Sequence, residues 1–419
     1  MQKLKIAILS YRSAPFGGGQ GVYVHDISKA LRASGHHIDI ISGPPYPSLP
    51  EGVNLIKLPG LDLFQTFSFK KRLSIFLNKK SKKLIDIYEF LATLFGSFPE
   101  MKTFGYRANQ WLLDNNNYDI VIDNQSISFG MLEIQKIVPF IEIIHHPITK
   151  DYKHELEASN KILYRLSRYR WYSFLGMQKK VAPHIIRIIT PSKNSQKDIS
   201  IDFKCNPSNI SVINNGLDID KFIPYKNIER LPHRLITTAS ADVPLKGLDY
   251  TLRAISKLKR NYVNMDLIII GKLKDDGHTS RLIKSLQIED IVHFKTNLTK
   301  EDIAMEYAKS SIAIVSSLYE GFGYPVIEAM SCGVPLIAAN TSSIPELVGD
   351  FASLVPPKDV SALVNSIEQI TNNYEQYEKV AEEGREHIIN NFNWTKITNE
   401  YEKVIYQTIE DFKNANLWF

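Results

Sequence analysis

The sequence contains only 2 cysteines among its 419 residues, Cys205 and Cys332. They are too few and too far apart for a disulfide framework or a cysteine-based zinc site, which suits a reducing compartment. No apolar run approaches the roughly 18 to 20 residues that a membrane-spanning helix needs. Met1 to Lys5 leads directly into a predicted strand, which is not typical of a signal peptide. We therefore expect a cytoplasmic protein, with any membrane contact peripheral and on the inner face of the cell membrane.

The chain also has little excess charge of one sign. Lys and Arg number 50 against 45 for Asp and Glu, which gives a formal net charge of +5. A protein that binds the phosphate backbone of a nucleic acid would have a larger excess of Lys and Arg over Asp and Glu. We therefore expect no nucleic-acid partner. With 44% hydrophobic and 23% charged residues, the composition is that of a globular protein of two-domain length.

Short apolar runs alternate with helical patterns along most of the chain. Lys5–Ser10 (KIAILS) and His37–Ser42 (HIDIIS) predict two parallel strands, with a helix between them that ends at Gly35. Further strands are predicted at Tyr118–Ile122, Phe140–Ile144, Ile185–Thr190, Ile210–Ile213, Arg234–Ser240, Met265–Gly271, Ile291–Lys295, Ile312–Ser317 and Pro335–Ala339. The polar passage after Gly216 is interpreted as a linker between two doubly wound α/β halves. Such halves bind ligands at the carboxyl ends of their strands.

The segment Ser316–Pro335 (SSLYEGFGYPVIEAMSCGVP) combines a strand end, a glycine-rich turn and a helix start. Gly321 and Gly323 let the backbone approach a ligand closely, and the new helix offers unpaired N–H groups to an anion such as a diphosphate. Glu320 and Glu328 supply acceptors for sugar or ribose hydroxyls. The alternative is an ordinary strand–turn–helix junction with two solvated glutamates.

This segment resembles the E-G-F-G-x-x-x-x-E signature of the group-one, family 4-like retaining glycosyltransferases. The resemblance implies the α/β GT-B fold, in which two Rossmann-like doubly wound domains face a central cleft and a C-terminal helix crosses back to the first. The domains would be an acceptor-binding domain over 1–216, a nucleotide-sugar donor-binding domain over 217–395 and the returning helix over 396–419. Asn215-Gly216-Leu217-Asp218 with Phe222, and Phe392-Asn393-Trp394, are similar to further motifs of the family.

The same resemblance implies roles for individual residues. Glu320 would hold the donor sugar's hydroxyls, and Glu328 would bind the nucleotide ribose. The donor-binding turn would comprise Gly321, Phe322, Gly323 and Tyr324. The loop Gly17-Gly18-Gly19-Gln20-Gly21 resembles the family's N-terminal glycine loop, so that Gly18 and Gly19 would approach the donor diphosphate.

Lys246-Gly247 resembles the Lys-Gly pair that contains the family's catalytic lysine. The Lys246 ammonium would neutralise charge on the leaving diphosphate. A solvated lysine before a helix is the alternative. The family usually has an arginine about six residues earlier, where this chain has Ser240. Either another basic residue such as Lys272 supplies the positive charge that this arginine would bring to the phosphate, or backbone N–H groups and Lys246 hold the phosphate.

His145 and His146 follow a predicted strand, where the family has a histidine near the reacting centre, and we favour His145 as the catalytic one. No third ligand stands nearby at metal-binding spacing. Asp218-Ile219-Asp220 spells D-x-D, the pattern of metal-dependent transferases of another fold, but Asp218 already belongs to the junction motif. We therefore expect no metal and no cofactor.

A basic segment interrupts the first half, within an amphipathic insert at about 68–95. Its cations are Lys70, Lys71, Arg72, Lys79, Lys80, Lys82 and Lys83. Apolar residues from Leu73 to Leu91 fall on one helical face, and a second basic, aromatic stretch spans Tyr164–Lys180. The segment is either a solvated helix face or a surface for an acceptor or an anionic membrane.

The leading hypothesis is a retaining transferase that moves a sugar from a nucleoside diphosphate sugar to a hydroxyl acceptor. The acceptor would be a glycan, a glycolipid, or a lipid-linked or cell-surface polysaccharide precursor such as one for lipopolysaccharide. The alternatives are a sugar-nucleotide epimerase on the same scaffold and a non-catalytic basic protein that binds membrane surfaces. A dehydrogenase is disfavoured because Gly17–Gly21 lacks the G-x-G-x-x-G spacing.

Overall fold

A computed structural model describes residues 3–13, 19–63, 66, 68–79, 82–157, 159–225, 227–262 and 264–416. The chain divides into two compact units. The first comprises residues 1–191, 195–214 and 397–419, and the second comprises residues 192–194 and 215–396.

The first unit is built on a seven-stranded parallel sheet in the order β3-β2-β1-β4-β5-β6-β7. Its strands are β1 (Lys5–Ser10), β2 (His37–Ser42), β3 (Asn54–Lys57), β4 (Ile120–Asn124), β5 (Phe140–Ile143), β6 (Ile188–Thr190) and β7 (Ile210–Val212). The central strand β4 is buried at every residue, as expected for a parallel sheet covered on both faces. The predicted parallel pairing of β1 with β2 is confirmed, with Ile6 opposite Ile38.

The helices of this unit pack on both faces of the sheet. They are α1 (Gly19–Ala33), α2 (Phe69–Asn78), α3 (Leu84–Leu94), α4 (Glu100–Asp114), α5 (Phe129–Ile137), α6 (Thr149–Glu157), α7 (Ile162–Trp171), α8 (Leu175–Val181) and α9 (Lys193–Asp202). Helices α4 and α5 approach so closely that a Cβ on Gly130 would lie 2.1 Å from the carbonyl oxygen of Gly105. None of the helices in the described ranges is both long and apolar enough to cross a bilayer.

The second unit contains a six-stranded parallel sheet in the order β10-β9-β8-β11-β12-β13. Its strands are β8 (Leu231–Thr238), β9 (Asp266–Ile270), β10 (Val292–Lys295), β11 (Ser310–Val315), β12 (Leu336–Ala339) and β13 (Ser353–Val355). Its helices are α10 (Leu248–Leu258), α11 (His278–Leu286), α12 (Lys300–Lys309), α13 (Tyr324–Ser331), α14 (Ile344–Val348), α15 (Val360–Asn372) and α16 (Tyr374–Phe392). The predicted fold class, two doubly wound parallel-sheet units, is confirmed.

The final helix, α17 (Trp394–Asn416), begins in the second unit and continues into the first. In the first unit the Tyr401 hydroxyl lies 2.6 Å from that of Tyr23, and both rings are buried. The carboxylate of the next residue, Glu402, lies 3.0 Å from Nε2 of buried His36. The returning helix therefore contributes both apolar and polar groups to the packing of α1 and the chain that follows it.

The basic insert is not one continuous amphipathic helix, because α2 and α3 are separate helices that pack together. The Phe76 and Phe90 rings stack with their centroids 4.5 Å apart, and Leu73 packs against the same small cluster beside Leu61. Some of the apolar residues that were expected on one exposed helical face thus pack between α2 and α3 within the unit. The outer face of α3, with Leu84, Ile87, Tyr88 and Leu91, is exposed.

Two acidic residues lie side by side inside the first sheet. Asp123 on β4 is the register partner of Glu142 on β5, and both side chains are fully buried. The backbone N–H and the hydroxyl of Ser126 donate to the Asp123 carboxylate at 2.7 and 2.8 Å. Burial, together with the negative charge of Asp123, raises the pKa of Glu142 well above its ordinary value. The folded protein therefore favours the protonated form of Glu142 more than the unfolded chain does.

Replacing Glu142 by glutamine should stabilise the protein at pH 8 and flatten the pH dependence of its stability. Above about pH 4.3, the ordinary glutamate pKa, the unfolded chain releases a proton that the folded protein keeps. The free energy of unfolding therefore falls as pH rises toward the raised pKa, by about 1.4 kcal/mol per pH unit. Urea unfolding between pH 5 and 8 tests this, with the exposed Glu133→Gln as control. Parallel curves for the wild type and Glu142→Gln would contradict it.

Candidate functional site

The Glu320 carboxylate stands in the loop between β11 and α13, at the carboxyl end of the second sheet. Its Oε1 atom accepts hydrogen bonds from Nζ of Lys246 and from the Ser317 hydroxyl, both at 2.7 Å. The Lys246 side chain is 27% exposed and that of Glu320 only 11%, so the ion pair is partly shielded from water. Two sequence-predicted catalytic residues, 74 positions apart, are therefore in direct contact.

The backbone of the Glu320 loop is held by two serines that follow β12. The N–H of Glu320 donates to the Ser342 hydroxyl at 2.8 Å. The Ser343 hydroxyl donates to the carbonyl of Glu320 at 2.9 Å and to that of Phe322. Residues that follow the neighbouring strand β12 therefore hold the backbone from which the Glu320 side chain extends.

Lys246 is positioned by a 3-10 turn, Pro244–Lys246, that ends at Gly247. Gly247 has φ +62°, and a Cβ there would lie 1.9 Å from the carbonyl oxygen of Ser316. The Ser316 hydroxyl donates to the carbonyl of Gly247 at 3.0 Å, and the N–H of Leu318 donates to the carbonyl of Leu245 at 2.7 Å. The turn is thereby joined directly to the segment that leads to Glu320, and only glycine fits at its last position.

The predicted donor-binding turn runs from Gly321 to Tyr324 and opens α13. Gly323 precedes the helix with φ +121°, a conformation that favours glycine. The Phe322 ring is buried and packs edge-on against Tyr324 at 5.5 Å, so this side chain belongs to the core rather than to a ligand surface. Glu328 lies one turn into the helix and is half-buried. At the start of α13, Pro325 has no N–H, and the N–H groups of Val326 and Ile327 donate to the Gly323 carbonyl at 3.0 and 3.4 Å. The set of unpaired helix N–H groups expected for an anion is therefore smaller there than predicted.

Ser240 and Lys272 follow the neighbouring strands β8 and β9, and both are exposed. Thr238 pairs with Ile270 at the end of this ladder, and Ser240 and Lys272 each lie two residues beyond that pair. A Cβ on Gly271 would come within 2.2 Å of the Ala239 carbonyl oxygen, which shows how closely the two chains run there. Lys272 is therefore at the sheet edge that also carries Ser240.

In the first unit, His145 follows β5, next to the end of β4. Its Nε2 atom lies 2.8 Å from Oδ1 of Asn124, and its backbone N–H donates to the Gln125 side chain at 2.9 Å. The Tyr23 ring packs edge-on at 4.6 Å. Burial, with a contribution from His146, lowers the pKa of His145 to about 3. The ring is therefore neutral at physiological pH, with its proton on Nε2 facing the amide oxygen and Nδ1 left as an acceptor.

His146 differs from its neighbour, because its Nε2 atom lies 2.8 Å from the Asp151 carboxylate on α6. The two histidines thus face different partners, and only His145 joins the strand-end group with Asn124. Gly19 is the first residue of α1, which follows β1 at the same edge of the sheet, and a Cβ there would meet nothing within 4 Å. Gly18 lies outside the described residues.

The basic segment does not form one uniform cationic face. Arg72 donates to the carbonyls of Thr66 and Thr93, Lys79 pairs with Asp86 at 2.6 Å, and Lys82 donates to backbone carbonyls. Lys70, Lys71 and Lys83 are exposed, and Lys80 lies outside the described residues. Several cations predicted for a membrane or an acceptor are thus engaged within the unit.

Within the described ranges, no cluster of three or more His, Cys, Asp or Glu side chains is arranged to hold a metal ion. The D-x-D pattern lies in a turn, where the carbonyl of Asp218 accepts from the N–H groups of Lys221 and Phe222 at 3.1 Å. Cys205 and Cys332 are both buried and unbonded to each other.

Sequence reasoning missed the groups that hold the functional side chains, namely Ser317, Ser342, Ser343, Asn124 and Gln125. The serines lie in strand–helix connections, in SSLYEG and NTSSIP. Polar residues are common at strand ends, so their presence alone does not single them out. Their hydrogen bonds become recognisable only when adjacent strands are brought together.

Two family models match consecutive parts of the chain. The one described as Glycosyltransferase Family 4 matches residues 17–221, and the one described as Glycosyl transferases group 1 matches residues 221–387. The MMP alpha-(1->4)-mannosyltransferase of Mycolicibacterium hassiacum is 38% identical over 415 residues, which cover 96% of this chain and 98% of that protein. An N-acetyl-alpha-D-glucosaminyl L-malate synthase of Bacillus anthracis is 30% identical over 176 residues, 41% of this chain and 45% of the relative.

Solved glycosyltransferase structures share the fold. Sucrose-phosphate synthase from Thermosynechococcus elongatus superposes with a TM-score of 0.74 at 21% identity, covering 98% of this chain and all of that one (100%). WaaG, a glycosyltransferase involved in lipopolysaccharide biosynthesis, gives a TM-score of 0.65 at 16% identity, covering 96% of this chain and 99% of that one. These findings favour a transferase over an epimerase and over a non-catalytic binding protein. The chain belongs to the group 1, family 4-like glycosyltransferases of the GT-B fold, and it is an enzyme.

Proposed function

We propose that this enzyme transfers a hexosyl group, with retention of configuration, from a nucleoside diphosphate sugar to a hydroxyl acceptor. The observation that carries the proposal is the 2.7 Å contact between Lys246 and Glu320 at the strand ends of the second unit. A ligand that touches both groups would place an anion beside Lys246 and a hydrogen-bond donor, such as a sugar hydroxyl, beside Glu320. A sugar joined to a diphosphate has this arrangement.

Each group has a defined task in the proposed reaction. Glu320 accepts hydrogen bonds from the donor sugar's hydroxyls, and Lys246 neutralises charge that develops on the diphosphate as its bond to the sugar carbon breaks. The acceptor oxygen attacks from the side that the diphosphate leaves, and a phosphate oxygen takes its proton. Glu328 holds the ribose, and neutral His145 offers an acceptor atom to the reacting sugar. No metal or cofactor enters this scheme.

The second cation of the phosphate site is Lys272 in our proposal. Its place beside Ser240, at the ends of paired strands, supports this role. The family-typical arginine would stand at the position of Ser240, and a lysine from the adjacent strand end can supply the same charge. A lysine binds phosphate as a point charge rather than with a two-pronged guanidinium.

The donor sugar in our proposal is mannose and the acceptor is a glycan chain. The supporting finding is the 38% identity to a protein named as an α-(1->4)-mannosyltransferase, over nearly the whole chain. Nucleoside diphosphate mannoses carry an α-linkage, so an α-linked product corresponds to retention. Lipid-linked and cell-surface glycan precursors remain within the same acceptor class.

Thermal unfolding with a panel of UDP, GDP and ADP sugars tests the donor proposal. One mannosyl nucleotide should raise Tm measurably, because a ligand that binds only the folded protein stabilises it by about 2.7 kcal/mol at 100 times its Kd. Glu320→Gln should lose the part of the shift that depends on the sugar and keep the part given by the nucleotide alone. Equal shifts with every nucleotide sugar, or none, would contradict the assignment.

We further propose that the exposed face of α3, with Lys70, Lys71 and Lys83 nearby, contacts an anionic membrane surface. The support is the exposure of Leu84, at 85%, next to the exposed Lys83, together with the exposed Lys70 and Lys71 on the adjoining helix α2. The triple variant Lys70→Glu, Lys71→Glu, Lys83→Glu should bind anionic vesicles at least about 100-fold more weakly, since each cation contributes about 1 kcal/mol. The matched control reverses Lys257, Lys274 and Lys284 in the second unit. Equal co-sedimentation of both triple variants would refute membrane binding.

A further inference from the structure

A pocket of about 440 Å³ opens on the flank of the first unit, outside every residue assigned a role in catalysis. One wall is helix α4, and the other is the start of α3 together with the chain that follows β3. Its volume lies in the range typical of small-molecule sites.

The wall formed by α4 carries aromatic and polar side chains at helical spacing. Tyr106, Gln110 and Asp114 are four residues apart, and Trp111 lies next to them on the same side. Tyr106 is 48% exposed, and Gln110 and Asp114 are exposed as well. The opposite side of α4 is buried in the core. The helix therefore presents two aromatic rings together with amide and carboxylate groups to the pocket.

The charges at the base of the pocket are already neutralised. Asp86 accepts from Lys79 at 2.6 Å and from Arg107 at 2.7 Å, and Arg107 also reaches Glu89 at 2.5 Å. Burial alone would raise the pKa of Asp86, but hydrogen bonds from Lys79, from the backbone and from Arg107 lower it below its ordinary value. Two cations thus offset two carboxylates, so the base of the pocket does not attract anions strongly.

The pocket is also distant from the strand-end group around His145. Pocket residues Leu58 and Pro59 follow the edge strand β3, whereas His145 follows β5. The two strands are separated by β2, β1 and β4. At about 4.8 Å per strand, the separation within the sheet is about 19 Å.

We propose that this pocket is a second saccharide site, which binds a short segment of a neutral, hydroxyl-rich glycan. A pyranose ring has a flat C–H face that packs on an aromatic ring such as Tyr106 or Trp111. Its hydroxyls both donate and accept, which suits the Gln110 amide, the Asp114 carboxylate and the Lys83 ammonium. Such a site would hold a distal part of a glycan acceptor. The saccharide character of the ligand follows from the pocket itself, whereas its assignment to the acceptor and the choice of a mannose probe rest on the proposed function.

Isothermal titration of the full chain with α-linked mannotetraose, without nucleotide, tests the proposal. Tyr106→Ala and Gln110→Ala should each weaken binding at least 10-fold. Trp111→Ala is less suitable alone, because this ring also packs against the core. The matched control is Tyr169→Ala on α7, which removes an aromatic side chain that is 69% exposed outside the pocket. The control should bind like the wild type.

Glu320→Gln separates this proposal from the donor assignment, because it should leave mannotetraose binding unchanged. Maltotetraose in parallel shows whether the pocket prefers mannose. Absence of mannotetraose binding, or equal affinity in Tyr106→Ala, Gln110→Ala and the wild type, would overturn the saccharide site. Displacement of the tetrasaccharide by inorganic phosphate at equal concentration would also overturn it, because it would show an anion site.

Discussion

Glu320→Gln and Lys246→Ala should each lower kcat by a factor of at least about 100 to 1,000, while the protein remains folded. Loss of one preorganised electrostatic contact to a transition state has an effect of this size. Both groups are partly shielded from water and are aligned by Ser317 and by the Gly247 turn, so their interaction with developing charge is stronger than it would be in open solvent. Steady-state transfer to a glycan acceptor measures the loss.

The chain offers a close control for this pair. Lys221 and Glu301, in the same unit, also lie 2.7 Å apart but are 38% and 50% exposed. Lys221→Ala and Glu301→Gln should keep transfer within about twofold of the wild type, since exposed ion pairs contribute little. Wild-type turnover in Glu320→Gln or Lys246→Ala would disprove the site assignment, and far-ultraviolet circular dichroism would exclude unfolding as the cause of a loss.

Gly247→Ala should lower the free energy of unfolding of the second unit by about 3 kcal/mol or more. It should also lower transfer activity, as Lys246→Ala does, because it displaces Lys246. The left-handed backbone conformation costs a non-glycine residue about 1 to 2 kcal/mol. The new methyl group would overlap the Ser316 carbonyl oxygen, since the Cβ position lies only 1.9 Å from it. Relief requires the Lys246 turn to move away from β11, which strains or breaks the hydrogen bonds that join them.

Urea unfolding of Gly247→Ala, followed by fluorescence, measures the expected loss of stability. Gly176→Ala is the matched control, because Gly176 lies within α8 and a Cβ there meets nothing within 4 Å. Alanine is favoured over glycine in a helix by about 0.5 to 1 kcal/mol, so the control should be slightly stabilised. A Gly247→Ala protein as stable and active as the wild type would show that the turn is not rigidly required.

The sequence predicted most central elements of the fold, and the misses have a common cause. The strands β3 (NLIK) and β13 (SLV) were not predicted, because each is a short edge strand with partly exposed residues. An edge strand needs no continuous apolar run, so it carries only a weak periodic signal. The polar passage after Gly216 predicts a linker through Arg234, but β8 begins within it at Leu231, where its first residues are exposed.

The candidate site was predictable to a similar degree. Glycines and prolines in EGFGYP mark the turn by local chemistry, so Glu320 could be located from the sequence alone. The buried Asp123 and Glu142 pair was missed, although each is a lone acid in an apolar strand. The pairing depends on β4 and β5 lying side by side in register, and a single sequence does not contain that information. The cations and apolar residues of the basic insert recur at helical spacing and so predict one helix, but the structure has a break between α2 and α3.

The path of α17 has a consequence for the order in which the protein folds during synthesis. The first unit is completed by residues 397–419, but residues 215–396 must be translated before them. At about 5 to 20 residues per second, that interval lasts about 10 to 40 s. During this time Tyr23 and His36 lack Tyr401 and Glu402, the partners they have in the finished protein. The second unit, almost continuous in sequence, can therefore complete its folding first, although it emerges from the ribosome later.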